Sequence, residues 1–354
     1  MTSDQYSSPQ VSEFIKVFND NAKEGLENSE FNDLSQPNRA QICIIEKFLV
    51  ARNRVVNDAV TMFINALKVN DHLDLKQWRK QFRVNEIIQE TFDDEISSLG
   101  FTYGFDKNSR PITYNVYGKM DPDKVFKNED TTMFLRWRVQ LMERAIQLLD
   151  FENGIDTITQ VSILNSILEV HDYAGASMFR MDKRMKAITK EIITLFQDNY
   201  PEMLQKKMFI NVPSIMDVLY NLMAGFTSKR TQSKFLMASY TKARKALLDV
   251  IDVTQVPIQY GGFEKGEGSI KTADVSPRSS LSVSENFEGK AAILDFCVIE
   301  GDIIIKTDGN TNERREFGSI TLKSNDESKF TFEFDNSFSM LNGKQIIYRL
   351  RECQ

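Results

Sequence analysis

Residues 199–213 read NYPEMLQKKMFINVP. The second half of this stretch, residues 207–212, is a short apolar run that ends before Pro213, which is typical of a buried parallel strand. A similar run, FLMAS at residues 235–239, is followed by a helical pattern over residues 242–251. Strands that alternate with helices predict an α/β layer with crossover connections.

The part of the chain before this layer predicts a tail and then a helical lobe. Residues 1–35 are rich in Asn, Asp, Glu and Ser, with one weak amphipathic piece around Phe14 to Phe18, and they predict a mostly disordered tail. Residues 36–88 place apolar side chains such as Ile42, Ile45 and Leu49 at helical spacing, which predicts a lobe of short helices.

Residues 89–264 predict the main α/β domain. Within them, residues 109–118 mix β-branched and aromatic side chains behind a turn and predict a strand, residues 130–149 predict a long helix, and residues 158–170 favour a buried strand. A further helix is expected after Gly175. These elements extend the α/β layer towards the N-terminus.

The composition changes after residue 264. Residues 265–288 contain six Ser and few aliphatic side chains, and they predict a flexible linker. In residues 289–354 the pattern alternates every second residue, so that KFTFEFD places Phe330, Phe332 and Phe334 on one face of a strand. Several such runs, separated by Asp-Gly and Asn-Gly turns, predict a small antiparallel β-sandwich.

The charge of the chain excludes a broad nucleic-acid interface. Its 354 residues carry 44 Lys and Arg against 50 Asp and Glu, a net charge of −6, whereas proteins that wrap nucleic acid are basic. Cys43, Cys297 and Cys353 are far apart, which fits a reducing compartment and no disulfide framework. The start is polar and no run of about 18 apolar residues occurs, so we expect a cytosolic protein whose membrane contact is peripheral.

Residue patterns for catalysis are scarce, and the sequence predicts no enzyme. The two histidines, His72 and His171, lie in no pattern that supplies a base and an orienting partner. We expect each to be a surface or hydrogen-bonded residue. Phosphate-binding loops, dinucleotide-binding glycine motifs and zinc-binding motifs are absent from the sequence, so we expect no metal and no cofactor.

Six stretches, taken in order, carry a resemblance to a known family. They are KFLVARNR at residues 47–54, SRPITYNVYG at 109–118, HDYAG at 171–175, NYPEMLQKKMFINVP at 199–213, TSKRTQSKF at 227–235 and VPIQYGG at 256–262. Their order and spacing resemble those of the CRAL-TRIO lipid-binding family, whose prototype is the fungal phosphatidylinositol/phosphatidylcholine transfer protein. The end of the chain, FEFDNSFSMLNGKQIIYRL, resembles a GOLD domain, the β-sandwich attached to CRAL-TRIO modules in patellins and supernatant protein factor. The resemblance implies an α/β CRAL-TRIO lipid-binding domain with an N-terminal helical lobe, followed by a small all-β GOLD-like sandwich.

The resemblance also implies a headgroup site, with a bound phospholipid as ligand. In members that bind inositol lipids, four residues contact the phosphoinositol group, and the matching positions here are Arg52, Glu202, Thr231 and Lys234. The two cations offset the charge of a phosphodiester, Thr231 donates a hydrogen bond to a phosphate oxygen, and Glu202 accepts from inositol hydroxyls.

Departures from the family concern the second ligand. Ile167 and Glu169 stand where the prototype has a Ser and a Thr that hold phosphatidylcholine, and Asn53 stands where some members have a basic residue. The second ligand is therefore open between phosphatidylcholine, a sterol, another isoprenoid and none.

Residues 214–226, SIMDVLYNLMAGF, predict an amphipathic helix. Residues 206–250 around it contain eight Lys and Arg against two Asp, a balance that favours contact with an anionic membrane surface. The stretch resembles the gate helix that opens at a membrane in this family. Its apolar face is formed by Ile215, Val218, Leu219, Leu222, Met223 and Phe226.

The resemblance implies a phosphatidylinositol-binding lipid transfer protein that presents this lipid for phosphoinositide signalling and vesicle trafficking. We expect a cytoplasmic monomer that associates peripherally with Golgi or endosomal membranes. Its partners are then the phospholipid, a transient membrane surface and, through the GOLD domain, a protein. Two alternatives stay open: a lipid-occupancy sensor or adaptor that regulates a protein partner, and a carrier of a sterol, tocopherol or retinoid.

Overall fold

The computed structural model describes residues 8–21, 31, 34–68, 86–118, 120–127, 130–151, 166–176, 182–212, 232–307, 313–324 and 328–353. The chain forms two compact units. The first unit consists of Met1–Thr102 with Asn108–Met237, and the second consists of Tyr103–Lys107 with Ala238–Gln354.

The first unit contains a five-stranded sheet and helices. Its described helices are α1 (Pro9–Asn21), α2 (Arg39–Ala51), α3 (Val56–Lys68), α4 (Glu86–Gln89), α5 (Asp94–Ser97), α6 (Pro122–Val125), α7 (Thr132–Ile146) and α8 (Lys183–Asn199). The strands are β1 (Gly100–Phe105), which runs across the boundary to the second unit, β2 (Pro111–Val116), β3 (Ile167–Asp172), β4 (Leu204–Ile210) and β5 (Phe235–Met237). The strand order is β1-β2-β3-β4-β5, and β2 to β5 pair in parallel. The predicted α/β architecture is confirmed.

The strand β4 begins three residues before the apolar run that predicted it. Leu204 already pairs with Ile167 of β3, although the first four positions of β4 are only half-buried. Because these positions are only partly buried, polar side chains are tolerated in them. A prediction based on apolar runs therefore misses the start of the strand. Of the strand predicted over residues 158–170, residues 158–165 lie outside the described part of the chain.

Helix α1 lies within residues 1–35, for which the sequence predicts a mostly disordered tail. Val11, Phe14 and Phe18 are fully buried, and the Phe14 ring meets Phe63 of α3 edge to face, with the ring centroids 5.4 Å apart. The helix begins with Pro9, whose fixed φ suits a first helical position. A helix of thirteen residues is stabilised mainly by packing on its neighbours, and the weak amphipathic pattern around Phe14 to Phe18 was the only sign of that packing in the polar tail.

The second unit consists mainly of a β-sandwich preceded by helix α9 (Tyr240–Val250) and two 3₁₀ turns (Val253–Gln255 and Ile258–Tyr260). One four-stranded sheet has the order β11-β8-β13-β6 and the other the order β10-β9-β12-β7, with antiparallel pairing. Phe296, Phe332 and Phe334 lie in the core between them, so the predicted antiparallel sandwich is confirmed. The strands are β6 (Lys271–Val275), β7 (Ser280–Asn286), β8 (Ala291–Val298), β9 (Ile303–Lys306), β10 (Arg314–Arg315), β11 (Phe317–Lys323), β12 (Lys329–Asp335) and β13 (Lys344–Glu352).

The predicted linker, residues 265–288, is corrected by β6 and β7. Strand β6 pairs with β13, and β7 pairs with β12 along its whole length. Both are edge strands, and Ser280, Ser282 and Ser284 of β7 are exposed on its outer face. Because an outward-facing edge strand needs few apolar side chains, its composition looks like that of a linker.

The compact unit that contains the sandwich begins at Ala238, before residue 264, where the sequence predicts the end of the α/β domain. Helix α9 packs on the sandwich, where the Arg244 guanidinium pairs with Glu316 at 2.9 Å and donates to the carbonyl of Gly301 at 3.0 Å. The amide of Lys107 donates to the carbonyl of Val250 at 2.9 Å. These contacts place the end of the predicted α/β domain in the same compact unit as the sandwich.

Candidate functional site

The turn that leads into β4 positions a candidate site. Helix α8 ends at Asn199, and Pro201 prevents its continuation. Glu202 then adopts a left-handed backbone conformation with φ +53°, which reverses the chain into the strand. The hydroxyl of Tyr200 donates to Glu143 of α7 at 2.7 Å and so fixes the turn against the neighbouring helix.

Lys234, which precedes β5, reaches this turn. Its ammonium lies 3.3 Å from a carboxylate oxygen of Glu202 and donates to the carbonyl of Leu204 at 2.6 Å. The register supports this approach, because the amide of Lys207 in β4 donates to the carbonyl of Lys234 at 2.9 Å. The two side chains are mostly buried, so their ion pair is weakly screened by water.

Lys47 of α2 completes the arrangement from the helical lobe. Its ammonium donates to the backbone carbonyl of Glu202 at 2.9 Å, and its side chain is almost completely buried. Burial lowers the pKa of Lys47 to about 8, which leaves the group mostly protonated at neutral pH. We call Lys47, Glu202 and Lys234 the lysine–glutamate cluster. It holds two cations around one carboxylate, so a further negative charge would be attracted to it.

The structure places the four predicted headgroup residues differently. Glu202 and Lys234 come together in the lysine–glutamate cluster, but Arg52 does not join them there. It caps the end of α2 with a half-buried side chain, and its guanidinium has no hydrogen bond or ion pair within the described part of the chain. Thr231 lies outside the described residues. So do the six gate-helix residues, Ile215, Val218, Leu219, Leu222, Met223 and Phe226.

Lys47 was not among the predicted site residues. The signal for it was present, because Lys47 opens the KFLVARNR motif and lies on a helix whose residues 42–49 are all buried. A lysine in such a position needs a buried polar partner. A cavity of about 20 Å³ beside it, which Phe48, Tyr200 and Met203 help to line, has room for one water molecule.

A second group of charged side chains lies on a face of the parallel sheet. Glu169 of β3 pairs with Lys207 of β4 at 3.0 Å and with Arg138 of α7 at 3.4 Å. Arg138 also donates to Asn115 of β2, and His171 lies 3.3 Å from the second oxygen of Glu169. We call these five residues the sheet network. Glu169, which departs from the family pattern for phosphatidylcholine binding, is therefore a buried carboxylate with two cationic partners.

The sheet network fixes the protonation states of its members. Burial acts to raise the pKa of Glu169, but Lys207, the hydrogen bond from His171 and Arg138 together hold it well below its ordinary value. Burial and the nearby Lys207 lower the pKa of His171 to about 3, so this histidine is neutral. Burial raises the pKa of the neighbouring Tyr117 to about 12. The network thus carries two cations and one anion near neutral pH.

His171 is confirmed as a hydrogen-bonded residue, while His72 lies outside the described part of the chain. Among the described residues, no group of three or more His, Cys, Asp and Glu side chains is arranged to hold a metal ion. None of the described helices is long and apolar enough to cross a membrane.

Comparison with known proteins places this geometry in a family. Residues 97–262 match the CRAL/TRIO domain. Patellin-6 of Arabidopsis thaliana is 30% identical over 322 residues, which cover 86% of this chain and 73% of that protein. The chain belongs to the CRAL/TRIO family. The resemblance seen in the sequence is confirmed by this match.

The relatives also include phosphatidylinositol transfer proteins and a further patellin. Phosphatidylinositol transfer protein SFH5 of Scheffersomyces stipitis is 32% identical over 295 residues, which cover 77% of this chain and 82% of that protein. Patellin-3 of Arabidopsis thaliana is 32% identical over 279 residues, and the chain spans about half of its length, 52%. A crystal structure of Sfh5 superposes with a TM-score of 0.54 at 24% identity, over 69% of this chain and 85% of that one, and this supports the fold. The GOLD identity of the sandwich stays a prediction.

Proposed function

We propose that the chain binds one phosphatidylinositol molecule and transfers it between membranes without covalent chemistry. The observation that carries this proposal is the lysine–glutamate cluster, in which the ammonium groups of Lys47 and Lys234 surround Glu202. Relatives named as phosphatidylinositol transfer proteins support the choice of lipid.

The chemistry of the lysine–glutamate cluster suits a phosphate that carries a polyol. In the lipid complex, the Lys234 ammonium contacts a phosphodiester oxygen in addition to the Glu202 carboxylate. The ammonium of Lys47 supplies a second positive charge from α2. Glu202 accepts hydrogen bonds from inositol hydroxyls, which a choline headgroup lacks. Arg52 and Thr231 remain proposed partners of the phosphate, as the family pattern implies.

The membrane step is proposed from the sequence pattern. Ile215, Val218, Leu219, Leu222, Met223 and Phe226 form the apolar face of the proposed gate helix, which opens the lipid site at a membrane surface. The protein then acts as a monomer at the cytoplasmic side of Golgi or endosomal membranes and supplies phosphatidylinositol for phosphoinositide signalling and vesicle trafficking. A protein partner of the sandwich belongs to the same proposal.

Native mass spectrometry with lipid extraction tests the headgroup site. Wild type, Lys234→Ala and Lys47→Met are incubated with mixed vesicles, beside Lys127→Ala, which removes an exposed lysine paired with Asp93. Because the substitutions at the cluster remove charge that faces the phosphate, we expect loading to fall about tenfold or more, a change that corresponds to the loss of one charge-assisted hydrogen bond. Lys127→Ala should load like the wild type.

Circular dichroism identifies variants that fail to fold. If the wild type carries only an uncharged lipid, or if folded Lys234→Ala and Lys47→Met load phosphatidylinositol as well as the wild type does, the headgroup assignment is wrong.

A further inference from the structure

The hairpin between β12 and β13 presents two adjacent apolar side chains to solvent. Its loop reads NSFSMLNG over residues 336–343. Met340 is 66% exposed and Leu341 is 86% exposed, the two highest values among the large hydrophobic residues in the described part of the chain. Side chains of this kind at the tip of a loop are costly in water and gain free energy when they enter an apolar phase.

Four hydrogen bonds hold the loop to the sandwich and to itself. The side-chain amide of the fully buried Asn336 donates to the carbonyls of Ser276 at 3.1 Å and Asn342 at 2.9 Å. The hydroxyl of Ser339 donates to the carbonyl of Asn342 at 2.8 Å, and the amide of Arg278 donates to the carbonyl of Ser339 at 2.9 Å. The sandwich therefore fixes the loop in a conformation that displays Met340 and Leu341.

Within the described part of the chain, the charged side chains near the tip are cations or belong to ion pairs. Residues 336–343 contain no charged residue, and the adjacent β6–β7 turn, residues 276–279, contains only the exposed Arg278. Arg314 stacks on the ring of Phe338, 4.1 Å from its centroid, and pairs with Asp302 at 2.9 Å. The Asp335 carboxylate at the base of the loop pairs with Lys306 at 2.6 Å. Arg278 has no ion pair among the described residues, so the tip combines an apolar pair with a cation.

We propose that this loop is a membrane contact, in which Met340 and Leu341 enter the interface of an anionic bilayer and Arg278 meets lipid phosphates. Two side chains supply far less than the roughly 800 Å² per partner that a specific protein interface buries. A peripheral membrane contact is different, because it gains from each apolar side chain that enters the interface and from each neighbouring cation. The inference goes beyond lipid transfer, since it concerns a surface of the second unit and does not depend on the headgroup site.

Site-specific fluorescence on the full chain tests the inference. In a Cys353→Ser background, which leaves the buried Cys43 and Cys297, an environment-sensitive nitrobenzoxadiazole label is attached to Leu341→Cys or to Asn286→Cys. Asn286 is the matched control, because β7 places it at the opposite end of the same strand pair. With vesicles of phosphatidylcholine and phosphatidylserine, we expect a blue shift and a gain in intensity at position 341 and none at position 286.

Vesicle sedimentation gives the second measurement. The double variant Met340→Ser/Leu341→Ser should bind these vesicles roughly tenfold more weakly than the wild type, and Ile258→Ser, which removes another side chain that is 51% exposed, should bind as the wild type does. An unchanged label at position 341, equal sedimentation of the double variant, or a spectral change that requires an added protein would overturn the inference. Phosphatidylinositol loading is measured on the same variants, so that failure of the loop and failure of the headgroup site are distinguished.

Discussion

At the scale of single residues, the neutral state of His171 has a consequence for stability. Its pKa is about 3 in the folded protein, against about 6.5 for an unperturbed histidine. Because the folded pKa is the lower one, the unfolded chain binds the additional proton between these two values, and the free energy of unfolding falls as the pH decreases through this window. We expect the protonation of His171 in the unfolded chain to lower the free energy of unfolding by about 2 kcal/mol between pH 7 and pH 5.

Urea unfolding of the wild type and of His171→Gln at both pH values measures this contribution. Glutamine retains a hydrogen-bonding group near Glu169 but does not titrate. The free energy of unfolding of His171→Gln should therefore fall less than that of the wild type when the pH is lowered. Carboxylates elsewhere titrate equally in both proteins and cancel in the comparison. An identical pH dependence in the two proteins would show that His171 is not held neutral by its surroundings.

The sequence predicted those residues of the candidate site that lie in short motifs of the family. Glu202 and Lys234 lie in short motifs next to β4 and β5, so the family pattern identified them, and the structure brings them within 3.3 Å. Lys47 donates to a carbonyl 155 positions further along the chain, and no local pattern records such a contact. The charged partners of Glu169 come from other elements of the fold, and they were missed for the same reason.

At the scale of elements, α1 is a helix that depends on its packing. Phe14 is fully buried and lies against Phe63, so Phe14→Ala leaves a cavity in the helical lobe. We expect a loss of about 3–5 kcal/mol in the free energy of unfolding. Lys16→Ala, on the exposed side of the same helix, serves as the control and should change stability by less than about 0.5 kcal/mol.

Chemical denaturation followed by circular dichroism measures both variants. If Phe14→Ala is as stable as the wild type, α1 does not pack on the lobe in solution, and the sequence prediction of a disordered tail would be the better description.

Elements whose type follows from the hydrophobic pattern of their own sequence were predicted well. Elements whose formation or association depends on tertiary contacts were predicted poorly. The phenylalanines of β12 alternate with polar residues and all lie in the core, and the predicted strand is found there. Strand β7 has three exposed serines and becomes a strand because β12 pairs with it. Helix α9 was predicted correctly, but its association with the sandwich depends on Arg244, whose partners lie more than fifty residues away.

At the scale of the whole molecule, charge is distributed unevenly along the chain. The net charge is −6, yet residues 206–250 carry eight Lys and Arg against two Asp. A local basic segment attracts the protein to an anionic membrane, while the overall negative charge favours release. Such a balance suits a carrier that must leave the membrane with its lipid.

Transfer of labelled phosphatidylinositol between donor and acceptor vesicles tests the central claim most directly. We expect the wild type and Lys127→Ala to accelerate transfer well above the rate in buffer, and Lys234→Ala to remain close to that rate while staying folded. Labelled phosphatidylcholine, measured in parallel, reports whether a second lipid is carried. A wild-type rate equal to that in buffer, or full activity in Lys234→Ala, would contradict the account of a phosphatidylinositol carrier built on the lysine–glutamate cluster.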